Sequence, residues 1–155
     1  MRPSIHEYMT SLLPRVAARS TCARRAVGCI ITDAKGVILA TGYNGVPSGF
    51  AHCMVRDIDG ATLHDPKPGI SCDGAFDEPG DTRRCFAVHA EQNALLQCRE
   101  LPRAAVLYVS VSPCFTCAKM ILNTSIKTIV VKGLYADQAG LDVLRAGGVL
   151  VVEVL

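Results

Sequence analysis

A chain of 155 residues, half of them apolar and only 19% charged, is long enough to bury a sizeable core and too apolar to stay disordered. Sixteen basic residues against 14 acidic ones leave a formal charge of +2, too small an excess to predict nucleic-acid binding. No stretch approaches the ~18 apolar residues of a membrane span, and the first twenty residues, with Arg2, His6, Glu7, Pro14 and Arg15, do not read as a signal peptide. A cytoplasmic protein with no membrane partner is expected. In that reducing setting the eight cysteines point to metal ligation or burial rather than disulfides.

In chain order, Ile5, Tyr8, Met9, Leu12, Leu13 and Val16 recur at helical spacing over residues 4–19, with Ser4 as N-cap. Pro14 is expected to kink or split that helix. Residues 26–32 predict a buried strand, Asp33-Ala34-Lys35-Gly36 a turn, and residues 37–41 the returning strand of a hairpin. From Gly42 to about Arg84 the chain turns rich in Gly, Pro, Asp and His, an irregular segment long enough to need a function or an anchor. A helix follows over 86–99, a strand over 104–111, a helix over 114–123 and a strand over 126–131. A last helix, 136–146, ends at Gly147-Gly148 before a final strand at 149–154. Strands alternating with helices predict an α/β sheet covered on both faces.

Two short motifs carry the chemistry: His89-Ala90-Glu91, and Pro113-Cys114-Phe115-Thr116-Cys117. H-x-E followed by P-C-x-x-C is the signature of zinc nucleobase deaminases. The physics agrees. Cys114 and Cys117, three apart at a helix start, can turn both sulfurs to one side, where the helix N-terminus favours thiolates. His89 supplies a nitrogen. Three protein ligands leave the fourth tetrahedral position of a zinc ion to water, the arrangement of a catalytic rather than a structural site. Zinc lowers the pKa of that water from ~15.7 to about 7, making hydroxide available for attack at C4 of the pyrimidine. Glu91, in the same turn as His89, can stand beside the water without binding the metal and shuttle protons to N3 and the leaving ammonia. Alone, C-x-x-C also fits a redox pair or half of a structural zinc site. Both motifs in this order favour the catalytic site.

Four blocks carry a resemblance that covers nearly the whole chain. They are Arg19-Ser20-Thr21-Cys22-Ala23-Arg24-Arg25-Ala26-Val27-Gly28, Thr41-Gly42-Tyr43-Asn44-Gly45-Val46-Pro47-Ser48-Gly49, His89-Ala90-Glu91-Gln92-Asn93-Ala94 and Ser112-Pro113-Cys114 with Cys117. In these the chain resembles the deoxycytidylate (dCMP) deaminase branch of the cytidine deaminase superfamily. The resemblance implies a single domain over 1–155 with a long insertion at about 45–85. Its fold would be three-layer α/β/α, a mixed five-stranded sheet with helices on both faces. It also implies hydrolysis of dCMP to dUMP with release of ammonia, which supplies dUMP for thymidylate synthesis. Such an enzyme is a hydrolase of a cyclic amidine C–N bond.

The same resemblance implies that Asn44 reaches the sugar or base, although Asn44-Gly45 alone would read as a turn pair. Arg25 is the candidate for the 5′-phosphate, with Arg24 as its alternative, since a guanidinium can clamp phosphate oxygens. Tyr135 either lines the substrate pocket or packs in the core. A main-chain carbonyl near Ser112 would accept a hydrogen bond from the cytosine amino group. Members of this branch are often homo-oligomers activated by dCTP and inhibited by dTTP through the region matched by Gly42–Gly49.

Several members also carry a second, structural zinc that pins the insertion. Cys22, Cys53 and Cys85 resemble its ligands, with Cys72, His52 and His64 competing for the fourth place. Cys29, in a strand, and Cys98, in a helix, read as small buried hydrophobes. The alternatives are a deaminase acting on dCTP, a 5-modified dCMP or a free nucleoside, or a catalytically silent nucleotide-binding regulator. A silent relative would have no need of Glu91. A tRNA adenosine deaminase would present a more basic face.

Overall fold

The computed structural model describes residues 1–22, 24–50, 52, 54–56, 62–64 and 87–154. Helix α1 (Ile5–Ala17) begins where Ser4 accepts a hydrogen bond from the Glu7 amide and Glu7 accepts one from the Ser4 amide, a reciprocal capping box. Contrary to the expected break, α1 runs unsplit through Pro14. Pro14 falls in the last turn, where its missing N–H removes one bond of a helix that is about to end. Strands β1 (Gly28–Thr32) and β2 (Ile38–Tyr43) form the expected antiparallel hairpin. Gly36 makes the turn at φ 84°, backbone that a side chain would strain.

The segment read as irregular contains a short antiparallel ribbon, β3 (Met54–Arg56) with β4 (Thr62–His64). Runs of three residues among Gly and Asp are too short for alternation to mark them. Helix α2 (Ala90–Gln97) starts four residues later than its apolar spacing suggests. Val88 is instead bridged to Gly45 by two backbone hydrogen bonds of 3.1 and 2.8 Å. Then come β5 (Val106–Val109), α3 (Phe115–Leu122), β6 (Thr128–Val131), α4 (Ala139–Ala146) and β7 (Leu150–Glu153).

The five-stranded sheet has the order β2-β1-β5-β6-β7, antiparallel on the first three strands and parallel on the last three. Alternation along the central strands separates its faces. Ile30, Tyr108 and Val130 face α1, where they bury Met9 and Leu13. Cys29, Ile31, Leu107, Val109, Ile129 and Val131 face the opposite layer, with Ala90 and Ala94 of α2, Ala118 and Ile121 of α3, and Leu141 and Leu144 of α4. This is the expected three-layer α/β/α arrangement. Gly42 lets β2 approach α2 closely, for a methyl there would overlap the Ala90 carbonyl and the Ala94 amide. That contact brings the first turn of α2 down onto the sheet. No helix among the described residues is long and apolar enough to cross a membrane.

Candidate metal centre and active site

The three expected metal ligands converge at the starts of two helices. His89 is the N-cap of α2, and its amide donates to the Gln92 side chain at 2.8 Å. Cys114 is the N-cap of α3, where its sulfur accepts from the Cys117 amide at 3.5 Å. The α2 start is also tied to β2, since Asn93 donates to the Tyr43 carbonyl at 2.8 Å. His89 Nδ1 lies 3.5 Å from Cys114 Sγ and 3.4 Å from Cys117 Sγ. One ligand atom from each of the three residues falls within 4.8 Å of the others. A tetrahedral zinc with Zn–N of ~2.0–2.1 Å and Zn–S of ~2.3 Å would separate nitrogen from sulfur by about 3.5 Å. The donor set therefore fits the ion in both chemistry and spacing.

The electrostatics prepare the ligands unequally. The neighbouring Cys117 side chain, with help from His89, pulls the Cys114 thiol down to about 4 against the opposing effect of burial. Cys117 moves upward, first through the neighbouring Cys114 side chain and then because it is buried. The imidazole of His89 is raised, chiefly by its contact with Cys114.

Glu91, in the first turn of α2, is only 4% exposed. Burial pushes its carboxyl up to about 7, while the His89 charge and the Cys117 thiol pull the other way. Cys29 lies in β1 with its thiol raised by burial and by the Glu91 charge. A carboxyl poised near neutrality can both take and give a proton there.

The residues expected to bind the substrate form a second group. Asn44 is buried; its side chain accepts from the Val27 amide at 2.8 Å and donates to the Arg25 carbonyl at 2.7 Å. Arg25 is exposed and lays its guanidinium over Tyr135, 4.8 Å from the ring centroid. Tyr135 is held by its amide, which donates to Ser112 Oγ at 2.8 Å, and the Ser112 amide donates to the Gly133 carbonyl at 2.7 Å. Tyr135 is 42% exposed, which excludes the core-packing alternative. Arg25, Asn44, Ser112 and Tyr135 are thus linked in one chain of contacts that ends beside Cys114.

Of the second metal set, Cys53, Cys72 and Cys85 and the side chain of His64 lie outside the described residues. Cys22 is half-buried, and His52 Nδ1 is 2.9 Å from Thr21 Oγ1. Cys29 and Cys98 are buried, as expected. Sequence reasoning assigned no role to Gln92 and Asn93, which fix His89 and the α2 start. Both lie inside the His89–Ala94 block, but their spacing alone gives no partner.

Comparison with known proteins agrees with this geometry. Residues 3–132 match the family model described as the cytidine and deoxycytidylate deaminase zinc-binding region. The deoxycytidylate deaminase of Mycobacterium phage D29 is 39% identical over 132 residues, spanning 83% of this chain and 94% of the phage protein. That of Saccharomyces cerevisiae is 36% identical over 157 residues, which cover 97% of this chain and 45% of the yeast protein. The dCMP deaminase of cyanophage S-TIM5, solved in complex with dCMP and dUMP, superposes with a TM-score of 0.72. It is 32% identical, with 99% of each chain covered.

Proposed function

Since the chain belongs to the cytidine and deoxycytidylate deaminase zinc-binding family, we infer that it hydrolyses dCMP to dUMP and ammonia at a catalytic zinc centre. The single observation that carries this reading is the convergence of His89, Cys114 and Cys117 beside a buried glutamic acid. His89, Cys114 and Cys117 would hold the zinc ion. When bound, it acts as a Lewis acid that makes water nucleophilic at neutral pH.

Every proton in the reaction then falls to Glu91. Its carboxylate takes one from the attacking water and gives it to N3 as oxygen bonds to C4. It takes a second as the C4 oxygen becomes a carbonyl, and delivers it to the departing amino group, so that water and dCMP leave as ammonia and dUMP. The raised proton affinity of this buried carboxyl suits it to both directions of transfer. Arg25 binds the 5′-phosphate in this scheme. Its guanidinium lies over the Tyr135 ring, and its planar fork of N–H donors matches phosphate oxygens bidentately. Asn44 serves the sugar or base, and the Ser112 carbonyl accepts from the 4-amino group.

The reading extends to a cytoplasmic homo-oligomer that responds to dCTP and dTTP. Free cysteines among the described residues suit a reducing compartment. Leu96, Phe115 and Met120, exposed on α2 and α3, supply apolar surface for a partner copy. Ammonia release from a panel of dCMP, dCTP, 5-methyl-dCMP, CMP and deoxycytidine tests the substrate. Turnover of dCMP should lead. Preference for dCTP or 5-methyl-dCMP would move the assignment within the family, and no turnover of any would leave a nucleotide-binding regulator.

A further inference from the structure

Gly140 is the second residue of α4, in ordinary helical backbone, so its own conformation does not call for glycine. Glycine there costs about 1 kcal/mol of helix propensity relative to alanine. What requires it is space. A methyl on Gly140 would overlap the Pro113 carbonyl oxygen and come within 3.0 Å of the carbonyl carbons of Pro113 and Cys114. These obstacles are backbone atoms of the peptide that leads into and through Cys114, and they cannot rotate aside as a side chain can.

The same loop is gripped from upstream. Ser112, 1% exposed, donates its amide to the Gly133 carbonyl at 2.7 Å and accepts the Tyr135 amide on Oγ at 2.8 Å. Residues 133–140 therefore hold Ser112-Pro113-Cys114 from two sides, by hydrogen bonds at one end and by close backbone contact at the other. A push on the Pro113 carbonyl cannot be relieved by sliding Ser112. It must turn the Pro113–Cys114 peptide and carry the Cys114 sulfur away from His89 Nδ1, now 3.5 Å distant.

We propose that Gly140, together with Ser112, is a positioning residue that sets the Cys114 sulfur for the metal. The proposal rests on the assignment of zinc to His89, Cys114 and Cys117. It makes the start of α4, which donates no ligand, part of the metal centre.

The test replaces zinc by cobalt(II) in the full chain and reads two quantities that do not depend on turnover. These are the visible spectrum of the cobalt–thiolate centre and the rate of metal release to a chelator. Gly140→Ala should shift the cobalt bands and speed release by about 10–100-fold, the range seen when support around a ligand is lost. Gly147→Ala, at the C-cap of the same helix, is the control. Its methyl would meet the movable Leu122 side chain rather than backbone, and it should match wild type in both quantities. A folded Gly140→Ala protein with a wild-type spectrum and release rate overturns the proposal. So does an equal change in Gly147→Ala. If Gly140→Ala does not fold, Ser112→Ala decides, since without crowding it removes the Oγ bond to the Tyr135 amide and leaves only the backbone bond to Gly133. It should shift both readouts in the same direction, and wild-type values there overturn the proposal. Failure of the wild-type protein to give a cobalt–thiolate spectrum would defeat the metal assignment itself, a result distinct from any of these.

Discussion

The side-chain amide of Asn44 holds Arg25 by its main-chain carbonyl, at 2.7 Å, while the guanidinium of the same arginine rests on Tyr135. With its oxygen on the Val27 amide, Asn44 staples residues 25–27 to the end of β2. Asn44→Ala should therefore cost about 1–3 kcal/mol, because it strands a buried backbone donor. Urea unfolding measures that loss. The KM for dCMP should rise more than kcat falls. Unchanged stability would mean that the two hydrogen bonds contribute little.

Arg25→Ala tests the phosphate assignment. Turnover of dCMP should fall far more than any residual turnover of deoxycytidine, which has no phosphate to lose. Equal losses on both substrates would make Arg25 a support for Tyr135 and move phosphate binding to another cation.

Glu91→Gln keeps the size and one oxygen but cannot shuttle protons. Since the proposed mechanism assigns several transfers to this one residue, kcat should fall by at least ~10²–10⁴. Zinc content and dCMP affinity should survive, because neither ligation nor phosphate binding uses this carboxyl. Loss of zinc as well would place Glu91 among the ligands, and activity within a few-fold of wild type would assign the proton to another group.

Zinc content distinguishes one site from two. Elemental analysis should find at least one zinc ion per chain, and near two, with Cys53→Ser removing one while leaving the one required for activity, would establish the second site. One ion in wild type, unchanged by Cys53→Ser, would limit the metal to His89, Cys114 and Cys117.

Asp33 sets part of the acid sensitivity of the fold. Its carboxylate accepts from the Lys35 and Val37 amides, both at 2.9 Å, and from Arg103 at 2.7 Å. These contacts, the Val37 amide first and then Arg103, hold it below the usual carboxylate range. A value depressed in the folded state gives stability that is full above the unfolded pKa of ~3.9 and is lost as pH falls through the folded value. Asp33→Asn should be less stable than wild type at neutral pH, and the gap in urea midpoint should narrow below about pH 4. A gap independent of pH would mean that the charge is irrelevant.

How far the sequence reveals this molecule depends on how local each signal is. The four residues of the proposed reaction centre lie in two contiguous motifs, so their chemistry could be read before any fold was known. The main elements were legible for the same reason, since Met9 and Leu13 or Ile30 and Ile31 announce their faces by spacing alone. Val88 misled because an apolar residue just before a helix looks like its first turn, whereas it pairs with Gly45 across the intervening segment. The stacking of Arg25 on Tyr135 and the close approach of Gly140 to Pro113 depend on which elements the sheet places side by side. No local pattern marks them.

The β1–β5 pairing also governs when the molecule can assemble. Gly28 donates to Ser110, 82 positions downstream, so the middle of the sheet closes one long loop. Until β5 is available, β1 has only β2 as a strand partner and α1 lacks Tyr108 from the surface it covers. Cys114 and Cys117 follow within a few residues of that closure. Local helix formation cannot bring them to His89 before it. Folding should accordingly be limited by an encounter between distant segments and proceed in milliseconds or slower, as expected for high contact order. Added metal should slow unfolding more than it speeds folding. A refolding rate that rises in proportion to metal concentration would show the reverse order, with the ion gathering its ligands first.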